Sequence, residues 1–202
     1  MRLKPPKILR RILPDLIWEV DDPSSIYLTF DDGPTPGITE WILSTLKKYD
    51  AKATFFVLGK NIEMYPDLYA MILEHGHKVG NHTYSHQKGW GMSLERYVED
   101  VEFANDLIHS DLFRPPYGQI KPSQAKFLSQ SYKLIMWDVI SRDYNRRVSP
   151  EGCLKNVAPY IEGGSIIVFH DSDKSFRNMS YALPRTLEIA KQRGLACKSL
   201  IF

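Results

Sequence analysis

Ile26-Tyr27-Leu28-Thr29-Phe30-Asp31-Asp32-Gly33-Pro34 is the stretch from which the rest of this 202-residue chain can be read. Its first five residues are apolar, aromatic or β-branched, and they stop abruptly at two carboxylates and a Gly-Pro turn. A short apolar run bounded by turn residues is the pattern of a strand buried on both faces, as in a parallel sheet. The same unit recurs along the chain. Further strand candidates are Ala53–Leu58, His77–Asn81, Leu112–Arg114, Lys133–Trp137, Ser165–Phe169 and Ala196–Phe202.

Amphipathic stretches lie between these runs. Ile38, Trp41, Ile42, Thr45, Leu46 and Tyr49 fall on one helical face, and Leu94, Tyr97, Val98, Val101, Ala104, Leu107 and Ile108 on another, with Ser93 placed to cap it. Pro184 to Arg193 reads as a last helix, stopped by Gly194. Near the N-terminus, Ile8, Leu9, Ile12, Leu13, Leu16 and Ile17 recur at helical spacing and predict a short helix closing the bottom of the fold. Seven strands alternating with helices make an α/β domain, either a barrel or a doubly wound sheet. The expected organisation is a helical segment over residues 1–25 and one catalytic domain over residues 26–202.

Composition excludes several classes. A net charge of +2 gives no case for nucleic acid, and no apolar stretch is long enough to span a bilayer, so no membrane association is expected. Arg10, Arg11, Asp15 and Glu19 interrupt what would be the apolar core of a signal peptide, so the chain as written reads as cytoplasmic. Cys153 and Cys197 read as separate thiols.

The unusual polar residues follow the strand candidates. Asp31-Asp32 follows the first, His82-Thr83-Tyr84-Ser85-His86 the third, and Arg114-Pro115-Pro116-Tyr117-Gly118 the fourth. Trp137-Asp138 to Asp143-Tyr144 follows the fifth, and His170-Asp171 the sixth. In a barrel of parallel strands these loops converge on one face. Two histidines four positions apart can aim at one point, and a carboxylate from the Asp-Asp pair completes a two-histidine, one-carboxylate metal set with open positions. The second carboxylate remains free as a base. The set points to metal-assisted hydrolysis.

These motifs resemble the polysaccharide deacetylases, the NodB homology or carbohydrate esterase family 4 enzymes. Thr29-Phe30-Asp31-Asp32-Gly33-Pro34, His82-Thr83-Tyr84-Ser85-His86, Arg114-Pro115-Pro116-Tyr117 and Val168-Phe169-His170 match in order and spacing, from about Ile26 to the C-terminus. The resemblance implies a single distorted (β/α)7 barrel. It implies Asp32, His82 and His86 as ligands of a divalent metal, zinc first, with cobalt, nickel or iron(II) also suited. Asp31 would be the general base and Arg114 its orienting partner. Tyr117 would supply a backbone oxyanion donor, and His170 the general acid, held by Asp143. The implied partner is an acetylated polysaccharide or oligosaccharide, and the implied reaction is removal of acetyl from its amino sugars. An O-acetyl esterase on xylan-like polymers and a carbohydrate-binding relative with reduced activity are the alternatives, and the resemblance implies a compartment often outside the cytoplasm, against the cytoplasmic reading of the chain as written. One motif departs: where the family often shows Asp-x-x-Asp-Trp, this chain has Ile140-Ser141-Arg142-Asp143-Tyr144. Tyr144 is also the aromatic expected in the sugar groove, ahead of Trp90, Tyr84 and Phe169.

Overall fold

A computed structural model describes residues 13–202. Its strands, in chain order, are β1 (Leu16–Ile17), β2 (Ser25–Asp31), β3 (Ala53–Val57), β4 (Lys78–Asn81), β5 (Leu112–Phe113), β6 (Lys133–Ile135), β7 (Val139–Ile140), β8 (Ile166–His170) and β9 (Ala196–Cys197). They form one sheet in the order β1-β6-β5-β4-β3-β2-β8-β7, with β9 pairing the start of β2. Every ladder between them is parallel. The sheet curls into an incompletely closed barrel of the expected (β/α)7 type, open between its β1 and β7 edges.

The helices α1 (Ile38–Lys48), α2 (Gly59–Met64), α3 (Pro66–Glu74), α4 (Leu94–Ile108), α5 (Pro122–Leu128), α6 (Pro150–Val157) and α7 (Asp173–Gln192) accompany the strands. α4 buries Tyr97, Val101, Ala104 and Ile108 of its expected face, and α1 buries Ile38, Ile42, Thr45 and Leu46 of its own, with Leu43 buried in addition and Trp41 and Tyr49 only half-buried. Ser93 caps α4 by accepting a hydrogen bond from Arg96 N–H. Inside the main core, Phe30 of β2 stacks on Phe55 of β3 at 5.0 Å and on Phe169 of β8 at 6.2 Å. Such pairs add about 0.5–1.5 kcal/mol each beyond the burial of their surface. All seven residues of β2 are buried, Ser25, Thr29 and Asp31 among them, as a strand covered on both faces requires.

Three expectations are corrected. The N-terminal helix lies outside the described residues up to residue 12, and the part that is described is no helix. Leu16 and Ile17 pair with Leu134 and Ile135 as strand β1. Leu16 then joins the cluster of Leu134 and Phe113, whereas Ile17 packs with Ile135 on the other side. That is the two-residue alternation of a strand. The last helix begins at Asp173, not Pro184. Pro184 removes one backbone donor, but buried Asn178, Met179, Ala182, Leu183, Leu187 and Ala190 continue one face across it, so packing outweighs the local cost. Finally, β9 ends at Cys197, because the chain then crosses beneath β2 and β3. Lys198 N–H donates to Ile26 O, and Leu200 N–H to Thr54 Oγ1. Cys153 and Cys197 are free thiols. Among the described residues, no helix is long and apolar enough to cross a membrane.

Strand register decides where the site lies. Asp31 is aligned with Phe56 on β3 and with His170 on β8, and Asn81 with Phe113, so that His82 and Arg114 leave their strands side by side.

Candidate active site

β2 ends at Asp31, and Asp32 turns the chain with a left-handed φ of 81°, a conformation that Asp tolerates better than most residues. The turn is tightly held. Asn61 Nδ2 donates to Asp32 O at 2.8 Å, and Asp171 N–H donates to Asp31 O at 2.7 Å. A Cβ on Gly33 would stand 2.2 Å from Asp171 Oδ2, so only glycine allows this approach. Asp171 is itself buried and accepts from Thr39 Oγ1 at 2.6 Å.

The histidine motif forms a loop. Thr83 and His86 have φ of 68° and 62°, Thr83 N–H donates to Asn81 Oδ1, and Thr83 Oγ1 accepts from His86 N–H. These bonds bring the two imidazoles to 5.2 Å between centroids. His82 Nδ1 lies 2.7 Å from Arg114 O. A carbonyl can only accept, so Nδ1 carries the proton and Nε2 presents its lone pair. Burial, with His86 adding to it, pushes the His82 pKa down to about 4 despite the nearby carboxylates, which leaves the neutral ring that metal ligation needs. Asp32 Oδ1 lies 3.1 Å from His86 Nε2 and 3.8 Å from His82 Nε2. Ligand atoms of the three side chains all fall within 4.8 Å of one another. Asp32 Oδ1 is buried and has no hydrogen-bond donor. Two imidazoles facing an orphaned carboxylate oxygen suit a divalent cation.

Beside this cluster, Asp31 Oδ1 receives Arg114 Nη1 at 2.7 Å. Arg114 is fully buried, and the rest of its fork is also used: Nη1 donates to Thr29 Oγ1, Nε to Ile135 O and Nη2 to Met136 O. The guanidinium lies 4.0 Å from the Phe56 ring centroid. On the other side of Asp31, His170 Nδ1 is 2.8 Å from Asp143 Oδ1, and His170 N–H donates to Asp143 Oδ2. Burial alone would lower the His170 pKa, but Asp143, with Asp32 and Asp31, outweighs it and raises the value to about 9.

Asp31, Asp32, His82, His86 and His170 line one cavity of about 180 Å³, together with Tyr117, Trp137, Ile140, Tyr144, Val168 and Lys174. Arg114 and Asp143 sit behind the lining residues they hold. Tyr117, φ 59°, is 57% exposed and rests on His86 with ring centroids 4.6 Å apart. Tyr144 packs edge-on against His170 at 4.8 Å. Phe169 is core, Tyr84 turns away to Glu63, and Trp90 stands exposed on the loop that contacts Ile120. Trp137 was expected only as the first residue of a converging loop, and Val168 and Lys174 were given no place on the lining. Trp137 and Val168 belong to apolar runs whose alternate faces look alike in sequence, and Lys174 is one of many solvated lysines. A larger groove of about 700 Å³ lies at the other end of the strands, among Tyr69, Val79, Ile108, Leu112 and Leu200. Its His77 is buried and accepts a hydrogen bond from Ala53 N–H through Nδ1, which makes it a packing residue.

Comparison with known proteins agrees with this geometry. The sequence profile described as polysaccharide deacetylase matches residues 19–132. A peptidoglycan-N-acetylglucosamine deacetylase of Bacillus cereus is 36% identical over 162 residues, 74% of this chain and 56% of that protein. The peptidoglycan-N-acetylmuramic acid deacetylase PdaC of Bacillus subtilis is 35% identical over 161 residues, 76% of this chain and 34% of that protein. The chain therefore spans about half and about a third of the length of these two relatives. A solved peptidoglycan N-acetylglucosamine deacetylase superposes with a TM-score of 0.88 at 28% identity, covering 98% of this chain and 95% of that one.

Proposed function

Because the chain belongs to the polysaccharide deacetylase family, we propose that it is a metal-dependent hydrolase that removes acetyl from N-acetylated amino sugars in a glycan. One observation carries this reading: Asp32, His82 and His86 converge beside an Arg114-paired Asp31, on a pocket whose far side holds His170.

A divalent cation held by Asp32, His82 and His86 would supply Lewis acidity, polarising an acetyl carbonyl and making water a better nucleophile. The remaining roles belong to the chain's own groups. Asp31, oriented by Arg114, takes the proton of the attacking water. Tyr117 N–H faces the acetyl oxygen as negative charge develops there, an interaction worth on the order of 10²–10³ in rate. His170, kept protonated by Asp143, gives its proton to the amide nitrogen as the C–N bond breaks, so acetate and a free amine leave. Trp137, Ile140, Tyr144 and Val168 form an apolar wall that suits the acetyl methyl and excludes water.

The direct test is acetate release from N-acetylglucosamine oligomers and from peptidoglycan. Activity should vanish with a chelator and return with zinc or cobalt. Release from acetylxylan alone would replace the reading by an O-acetyl esterase, and binding without release by a carbohydrate-binding protein.

The pH profile gives a second test. A general acid with a raised pKa works below that value and fails as pH rises through it. The ordinary imidazole value is 6.5 and the raised one about 9. A cation at Asp32 offsets that carboxylate's share, so the alkaline limb of kcat/KM should lie between the two. Asp143→Asn removes the larger share and should move the limb down by about one to two pH units. An unmoved limb would remove His170 from the acid role.

A further inference from the structure

We propose that Lys174 selects the substrate of this pocket by taking a carboxylate carried on the acetylated glycan, so that the preferred polymer is acidic rather than a neutral chain of acetamido sugars. The inference rests on the deacetylase reading and deepens it.

The charges on the lining lead to it. Asp31 is paired with Arg114 at 2.7 Å, His170 with Asp143 at 2.8 Å, and Asp32 faces the two imidazoles. Lys174 is the remaining charged side chain on the cavity wall. Among the described residues, no carboxylate forms an ion pair with it. It is exposed, and so free to meet a ligand.

Helix stability does not explain its position. α7 follows Ser172, which puts Lys174 in the first turn. Unpaired N–H groups make that end of a helix positive, and a cation there is disfavoured. What the position provides is proximity to chemistry: Lys174 shares the cavity wall with His170 and Tyr144. On the opposite arm of the sheet, Lys88 Nζ stands 5.0 Å from the centroid of the Tyr117 ring. The strand order β5-β4-β3-β2-β8 separates these two rims. An acidic glycan crossing the pocket would meet positive charge on both sides, with the exposed rings of Tyr117 and Tyr144 between. Ammonium and carboxylate attract at such short range even near solvent, and the attraction weakens with salt.

The experiment compares two probes. One is neutral N-acetylglucosamine oligomers, and the other is peptide-free peptidoglycan strands, whose muramic residues bear free carboxylates. Wild-type kcat/KM should favour the carboxylated strands. Lys174→Met keeps the length of the side chain and removes its charge, and should lower that preference by roughly five- to tenfold. Lys174→Glu should lower it further. Added salt should erode the wild-type preference and leave that of Lys174→Met flat. A wild type without preference, or a preference unmoved by either substitution, would overturn the proposal. Calorimetric binding of the same two glycans separates the two readings. Lys174-dependent binding without acetate release sinks the deacetylase assignment alone, and acetate release with a preference independent of Lys174 sinks this one alone.

Discussion

Acetate release by an Asp31→Asn variant is expected to fall by roughly 10²–10⁴, the usual contribution of a positioned base, while the divalent cation still binds. The asymmetry follows from geometry. Asp32 Oδ1, His82 and His86 form the convergent set, and Asp31 stands beside it, held by Arg114. Asparagine keeps an oxygen that can accept from Arg114 Nη1 but cannot take a proton from water. It also leaves a fully buried guanidinium without a counter-charge, so some stability is lost. Cation affinity, a thermal melt and turnover should therefore be measured on the same preparation. Wild-type turnover in a folded, loaded Asp31→Asn protein would eliminate the base assignment, and loss of the cation along with activity would show that Asp31 is a ligand.

Arg114→Met should cost both structure and activity. The guanidinium makes four hydrogen bonds, to Asp31, Thr29, Ile135 O and Met136 O, with no exposed surface. Removing one partner of a buried ion pair typically costs about 3–5 kcal/mol. At about 2–4 °C per kcal/mol for a chain of this size, the melting temperature should drop by roughly 6–20 °C. Arg114→Lys retains the charge, but a single ammonium cannot serve four acceptors set around a planar fork. It should be intermediate in melting and poor in turnover. A Met variant with wild-type melting would mean that the pair contributes nothing net to stability.

The sequence was most legible where burial on both faces forced long apolar runs. β2, β3 and β8 announced themselves, and the polar residues closing them could be assigned to one end of a barrel. β7 was missed because two residues, Val139 and Ile140, between Asp138 and Ser141 are too few to show a period. β1 was missed because Leu16 and Ile17 continue a stripe that also fits a helix. The first half of α7, Asp173 to Ser180, is polar enough to read as loop, and Pro184 then offered a false start. The site was readable as far as its hydrogen-bonding and metal-ligating chemistry is tied to residue type. Asp31, Asp32, His82, His86, Tyr117 and His170 all line one cavity, and Arg114 and Asp143 stand directly behind it. The apolar wall was not readable, since which face of Trp137 or Val168 points inward depends on how the sheet curls. Ile140, read as a departure from a motif, lies on that wall.

One residue links two halves of the chemistry. Arg114 fixes the tautomer of His82 through its main-chain oxygen and orients Asp31 through its guanidinium. In the proposed reaction, the grip on the ion and the aim of the proton acceptor would thus both pass through one amino acid, the first by its main chain and the second by its side chain. A substitution at 114 would keep that carbonyl, but the loss of the guanidinium's four hydrogen bonds would loosen the loop that carries it. Adaptation to a new polymer is easier at Lys174, an exposed side chain that forms no ion pair with a carboxylate among the described residues.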